Sequence, residues 1–185
     1  MSGLVLHASP LDDRCHAARL ALSMIGLAHA VVPQDGLAAD LPLLVDADRR
    51  IVGLPAILAH LGTRAPDWLP PAAVPWLSFC AHAARALGEA RAQSLACGVV
   101  AADTWRAGWA AMVAVEDHLD AQARAGFGWI AGARPSLAEP ALLPAIALSG
   151  DGDIDHRGFP AVRRWLRMAR ALPGFVTMPG MAEFV

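Results

Sequence analysis

Residues 63–75, TRAPDWLPPAAVP, contain four prolines. Proline lacks a backbone donor and clashes with the preceding helical turn, so neither a helix nor a central strand runs through such a segment. It divides the chain into two parts with different periodicities. Before it, short alternating or β-branched runs interleave with helical spacing; after Pro75 no strand-like segment remains. The division is residues 1–64, a proline-rich linker at 65–75, and an all-helical part at 76–185.

The first part reads as β-α-β, a short connection, then β-β-α. LVLHA at 4–8 is strand-like, and Asp12 or Asp13 in PLDD caps the helix RCHAARLALSMIGL, with Gly26 at its C-terminal end. HAVVPQD is a second strand, which Pro33 places at an edge or terminus. PLLVDAD and RRIV form a hairpin around Asp46–Asp48. LPAILAHLG is a helix with Pro55 in its first turn and Gly62 at its end.

In the second part WLSFCAHAARALGEARAQSLACGVV reads as one long alanine-rich helix. ADTWRAGWAAMVAVEDHLDAQARA is a second, its inner stripe marked by Trp105, Trp109, Met112, Val115 (or Glu116) and Leu119. SLAEPALLPAIALSG is a third, where Ser136 and Glu139 have capping-box spacing. FPAVRRWLRMARAL is a fourth, stopped by Pro173-Gly174. The fold class is α/β followed by all-α.

Hydrophobic residues make up 56% of the chain and charged residues 17%, against roughly 45–50% and about 25% in ordinary globular domains. Such a chain has apolar surface to spare for a subunit interface, and disorder is excluded. Mean hydropathy is +0.41, yet the best charge-free run, residues 68–84, holds three prolines and a histidine. It falls short of the ~20 apolar residues that span a bilayer. The start, MSGLVLHAS, has no basic flank and no long apolar run, so no secretion signal is expected.

Cys15, Cys80 and Cys97 are odd in number and lack C-x-x-C spacing, which suits a reducing cytoplasm and argues against structural zinc; no metal site is expected. A net charge of −2 and pI near 6.4 give no basis for nucleic-acid or anionic-membrane partners. There is no lysine, which excludes Schiff-base and P-loop chemistry, and no tyrosine, which excludes any phenol-dependent mechanism.

RLAL at 19–22, Pro42 and GLPAI at 53–57 stand in the order and spacing of a known pattern: a first helix ending in R-x-A-L, a proline-led strand pair, and E-S-x-A-I opening a helix. VEDHLDAQARAGFGWIAGARPSLAEPALLP and FPAVRRWLRMARALPGF match that pattern's later stretches, W-x-x-G through S/T-x-A-D and a proline-bounded final helix. With these segments the chain resembles the glutathione S-transferase family.

The resemblance implies a thioredoxin-like domain that binds glutathione, a helical domain that supplies a second-substrate pocket, and a homodimer. It makes Pro42 a cis-proline beside which the Leu41 backbone pairs with the glutathione cysteine. Gly53 and Leu54 fall where the family has an acid and a hydroxyl for the γ-glutamyl group. Asp12 falls where a hydroxyl or thiol stabilises the glutathione thiolate, and an ionised aspartate cannot donate that hydrogen bond. Ser9 and Cys15 are the substitutes. Cys15 sits one turn into a helix beside His16, a setting that lowers a thiol's pKa. The connection QDGLAAD has about seven residues where the family spends some twenty.

His82, Arg85, Arg91, Arg106 and His118 would line a pocket facing the first domain, although helix wheels put most of them toward solvent. Two readings follow. One is a glutathione-dependent transferase acting on a small electrophilic or hydrophobic substrate at an atypical site. The other is a non-catalytic dimer that has lost glutathione binding and binds a partner protein or another ligand.

Overall fold

Strand β1 (Leu4–Ala8) buries Leu4, Leu6 and Ala8 on one face, and everything in the first part is arranged around it. The computed structural model describes residues 3–35 and 40–181. Helix α1 (Asp13–Met24) returns the chain so that β2 (His29–Pro33) pairs parallel with β1. Strands β3 (Leu43–Asp46) and β4 (Arg49–Val52) form a hairpin, with β3 antiparallel to β1. The sheet order is β2-β1-β3-β4, so Pro33 lies on an edge, as its missing donor requires. The shortened connection includes residues 36–39, which lie outside the described residues.

Helix α2 (Leu54–Arg64) buries Leu54, Ile57, Leu58 and Leu61, the i, i+3, i+4, i+7 stripe of a helix facing a core. Contrary to the sequence reading, Gly62 does not end it. The helix continues to Arg64, and Ala65, held extended by the following Pro66, ends it instead. Gly62 is there for packing: a Cβ would stand 2.2 Å from Leu69 Cδ2. Asp46 ties the hairpin to α2, accepting from Arg64 Nη1 at 2.6 Å and pairing with His60 Nε2 at 2.8 Å.

Between the two parts run short 3-10 turns at Pro66–Trp68 and Pro71–Ala73. The long alanine-rich helix of the sequence reading is in fact two, α3 (Val74–His82) and α4 (Arg85–Cys97). No glycine or proline marks the break at Ala83–Ala84. There Ala84 N reaches back to the Phe79 carbonyl at 3.0 Å, and α3 packs on the later helix that carries Ala141, where Cys80 Sγ donates to the Ala141 carbonyl at 3.0 Å. Helix α4 turns to bury Ala86, Leu87 and Ala90, and ends at Gly98 with φ 70.

Helix α5 (Ala102–Arg124) buries Gly108, Ala111, Met112, Val115 and Leu119. The stripe is close to the expected one, but its small residues face inward while Trp109 stays 40% exposed, stacked on Trp105 at 5.3 Å. Helix α6 (Ala138–Ala147) is buried along its whole length. Its N-terminus shows the expected Ser136–Glu139 pairing: Glu139 Oε2 accepts from Ser136 N at 2.6 Å and from Ser136 Oγ at 2.8 Å. Glu139 Oε1 also accepts from Ile130 N at 2.7 Å, a partner outside the motif. Helix α7 (Pro160–Arg170) presents Ala161, Val162, Trp165, Leu166 and Ala169 inward and its arginines outward.

Two apolar clusters interlock. Leu20 and Met24 of α1 pack with the helical cluster, while Leu137 and Ala141 pack with the sheet-side one. Among the described residues no helix is long and apolar enough to cross a membrane.

Candidate ligand-binding cleft

Where the two parts meet, a cleft of about 800 Å³ opens between the β1–α1 loop and the first turn of α2 on one side and α3–α4 on the other. Ser9, Asp12, Leu41, Gly53 and Leu54 all line it, five of the seven positions singled out by sequence; Cys15 and Pro42 stand behind its surface. The opposite wall carries the apolar Leu77, Cys80, Ala84, Leu95, Ala141 and Ala145 together with Arg85, Glu89 and Arg91 of α4. A few polar groups set in a mainly apolar concavity are the usual composition of a small-molecule site.

The Leu41–Pro42 peptide is cis, and the Pro42 carbonyl accepts from Gly53 N at 2.8 Å, which holds the entry to β3 against the start of α2. Gly53 precedes that helix at φ 85, ψ 146, a conformation that favours glycine, and no side chain caps the helix. Pro55 has no amide hydrogen, and Ile57 N donates to the Gly53 carbonyl at 3.1 Å. The Leu54 and Ala56 amides, with the helix dipole, are therefore the groups suited to an anion.

Asp12 is buried and fully engaged as the N-cap of α1. Its Oδ1 accepts from Arg14 N at 2.8 Å and Cys15 N at 3.3 Å, and its Oδ2 accepts from Arg14 Nη2 at 2.6 Å. This is the capping geometry expected of an aspartate before a helix. Ser9 is buried at the end of β1 and is the only residue with a hydroxyl side chain among the described residues lining the cleft. Cys15 has no exposed surface, and burial first, then the Asp12 charge, pushes its thiol up to about 12. That is the reverse of the lowered value its helix position suggested: the desolvation that tertiary packing imposes outweighs the local dipole.

Further polar residues line the cleft: Asp13, Arg14, Gln34, Asp35, Arg85, Glu89 and Arg91. Arg91, one of the five residues expected at a pocket facing the first part, is only 7% exposed. It donates through Nη1 to the Leu11 carbonyl at 2.7 Å and through Nε to Asp151 Oδ2 at 3.0 Å, joining the β1–α1 loop to the helical part. Asp13, in the first turn of α1, faces Gly88 of α4. The one sequence hint of this contact is a glycine inside an alanine-rich helix. His82, Arg85 and Arg106 are exposed, Arg85 pairing with Glu89 at 3.3 Å and Arg106 with Asp103. His118 is half-buried, 2.8 Å from the Ile130 carbonyl and against Trp76. Among the described residues no group of three or more His, Cys, Asp or Glu side chains is placed to hold a metal ion.

No protein-family model matches the sequence, and no curated protein matches it. Solved structures do. The chain is similar to a glutathione S-transferase from Xanthobacter autotrophicus Py2, with 25% identity, TM-score 0.82, and coverage of 99% of this chain and 100% of that one. It is similar to a possible glutathione S-transferase from Rhodopseudomonas palustris, with 27% identity, TM-score 0.80, and coverage of 96% and 98%. It shares its fold with Ure2p in complex with glutathione, at 18% identity, TM-score 0.80, and coverage of 93% and 90%. The cis-proline, the uncapped helix and the interdomain cleft therefore sit on a known frame: the chain has the fold of the glutathione S-transferases, a thioredoxin-like unit followed by an all-helical one.

Proposed function

We propose that this chain is a glutathione S-transferase-like protein that holds glutathione along Leu41 and the α2 N-terminus and presents its thiol to a small apolar electrophile. The observation that carries this reading is the cleft itself, with an uncapped helix start beside a cis-proline on one wall and a mainly apolar helical surface on the other. In this arrangement the first-turn amides of α2 receive the γ-glutamyl carboxylate, and the Leu41 backbone pairs with the cysteine of the tripeptide. Leu54 adds no hydroxyl, so the grip is weaker than one with side-chain partners. Ser9 is the group available to donate to a thiolate. The thiolate sulfur then attacks the electrophilic carbon, forming the C–S bond as the leaving group departs with its electron pair. Asp12 holds the loop and α1 in place.

A second reading, a non-catalytic member that binds another ligand or a partner protein, is favoured by the engagement of Asp12 as a cap and by the unreactive Cys15 thiol. In both readings we place the protein in a reducing compartment as a homodimer, in keeping with its three free cysteines and its high apolar content.

Calorimetric titration with glutathione decides between them, performed on the natural chain and on Leu54→Ser. Position 53 is left as glycine because its φ of 85 would strain a side chain. A dissociation constant of roughly millimolar or tighter in the natural chain supports the transferase. Heat only from Leu54→Ser means that the frame persists without its ligand, and the second reading stands.

A further inference from the structure

Among the described residues lining the cleft, one half-buried carboxyl group is in direct contact with no cation or donor of another residue. This is Asp13, which among the described residues makes no ion pair and no hydrogen bond to another residue. The two nearest cations are already committed: Arg14 to Asp12 at 2.6 Å, and Arg91 to Asp151 at 3.0 Å and the Leu11 carbonyl at 2.7 Å. Burial, and next the neighbouring Asp12 charge, raise the Asp13 pKa, and the Arg14 and Arg91 charges offset this only in part. The space it occupies exists because position 88 is glycine; a Cβ there would lie 2.6 Å from Asp13 Oδ2. Around it the cleft is walled by Leu77, Cys80 and Leu95.

We propose that Asp13 makes the cleft selective for small apolar molecules that carry a protonated nitrogen. The hydrocarbon body lies against Leu77 and Leu95, and the ammonium donates to the Asp13 carboxylate. An unpaired acid in an apolar cleft gains most from a cationic donor, since the charge-assisted bond replaces water that neither wall can supply. A neutral ligand leaves the acid without a cationic donor. The inference rests on reading the cleft as a small-molecule site and does not require glutathione in its other half.

The test compares octylamine and octanol, one chain with two head groups, by calorimetry at neutral pH without glutathione. The amine should bind about tenfold or more tighter than the alcohol. In Asp13→Asn the amine-to-alcohol ratio should fall to near unity while alcohol binding persists. If Asp13→Asn does not fold, Gly88→Ala, whose new methyl displaces the carboxylate, is read by the same ratio. Equal binding of amine and alcohol in the natural chain, no binding of either, or a preference that survives the substitution would each overturn the proposal. The glutathione titration is independent, so a chain that fails it can still show the amine preference, and the reverse.

Discussion

Glu116 of α5 closes the open end of α7: Oε1 accepts from Ala161 N at 2.9 Å and Oε2 from Val162 N at 2.8 Å. Helix α7 begins after Phe159, which offers no side-chain cap, so the cap comes from 45 residues earlier in the chain. Glu116→Ala should cost about 1–2 kcal/mol, the usual effect of a lost cap. Glu116→Gln keeps one acceptor and should cost less. Urea unfolding checks both, and an Ala variant as stable as the natural chain would remove the cap from the account.

His16 Nε2 lies 3.0 Å from the Val176 carbonyl, and burial holds its pKa down to about 4 from 6.5. The folded state thus binds fewer protons than the unfolded one in that interval. Its stability contribution is complete above pH 6.5 and is lost as pH falls toward 4, in total roughly 3 kcal/mol. His16→Gln, which can still donate to Val176, should flatten the stability profile between those limits. Parallel profiles for the two proteins, from denaturant midpoints at several pH values, would show that His16 is not the titrating group.

Of the three cysteines, Cys97 is exposed, while burial pushes the thiols of Cys15 and Cys80 up to about 12. Since the thiolate is the reactive form, a disulfide reagent at pH 8 should modify one thiol rapidly and the other two only in denaturant. Fast modification at Cys15, located by peptide mapping, would restore it as a candidate nucleophile.

Gly62→Ala would place a methyl within 2.2 Å of Leu69 Cδ2 and 3.1 Å of Leu69 Cβ. Helix propensity alone favours alanine by up to about 1 kcal/mol, whereas overpacking costs about 1–3 kcal/mol. The prediction is a net loss of stability, partly recovered by adding Leu69→Ala. A gain would mean that Leu69 moves aside freely.

The order of elements was legible because it rests on local signals. Pro33 at an edge, the Asp46–Asp48 turn, Pro55 in the first turn of α2 and the α7 stripe each follow from one residue's backbone chemistry or from periodicity. The α3–α4 break was not legible, since alanines at 83 and 84 favour helix and the contacts beside the turn are with distant residues. Gly62 was misread for the same reason: as a helix terminator it answers a local rule, but its neighbour Leu69 lies beyond the helix.

The site divides along the same line. The resemblance to the glutathione S-transferase family implied Ser9, Asp12, Leu41, Gly53 and Leu54, and all five line one cleft. Sequence pattern by itself determined the strand-and-helix first part, the proline-rich turn into helices, and the absence of lysine and tyrosine chemistry. Only the tertiary structure decided which polar groups lose their water and which find partners. It buried Cys15 and raised its thiol pKa, gave the side chain of Asp12 to a helix cap, drew Arg91 inward to Leu11 and Asp151, and left Asp13 without a contact partner under Gly88. Desolvation depends on every wall of a cavity at once, and walls built from residues eighty positions apart are not a property of any stretch of sequence.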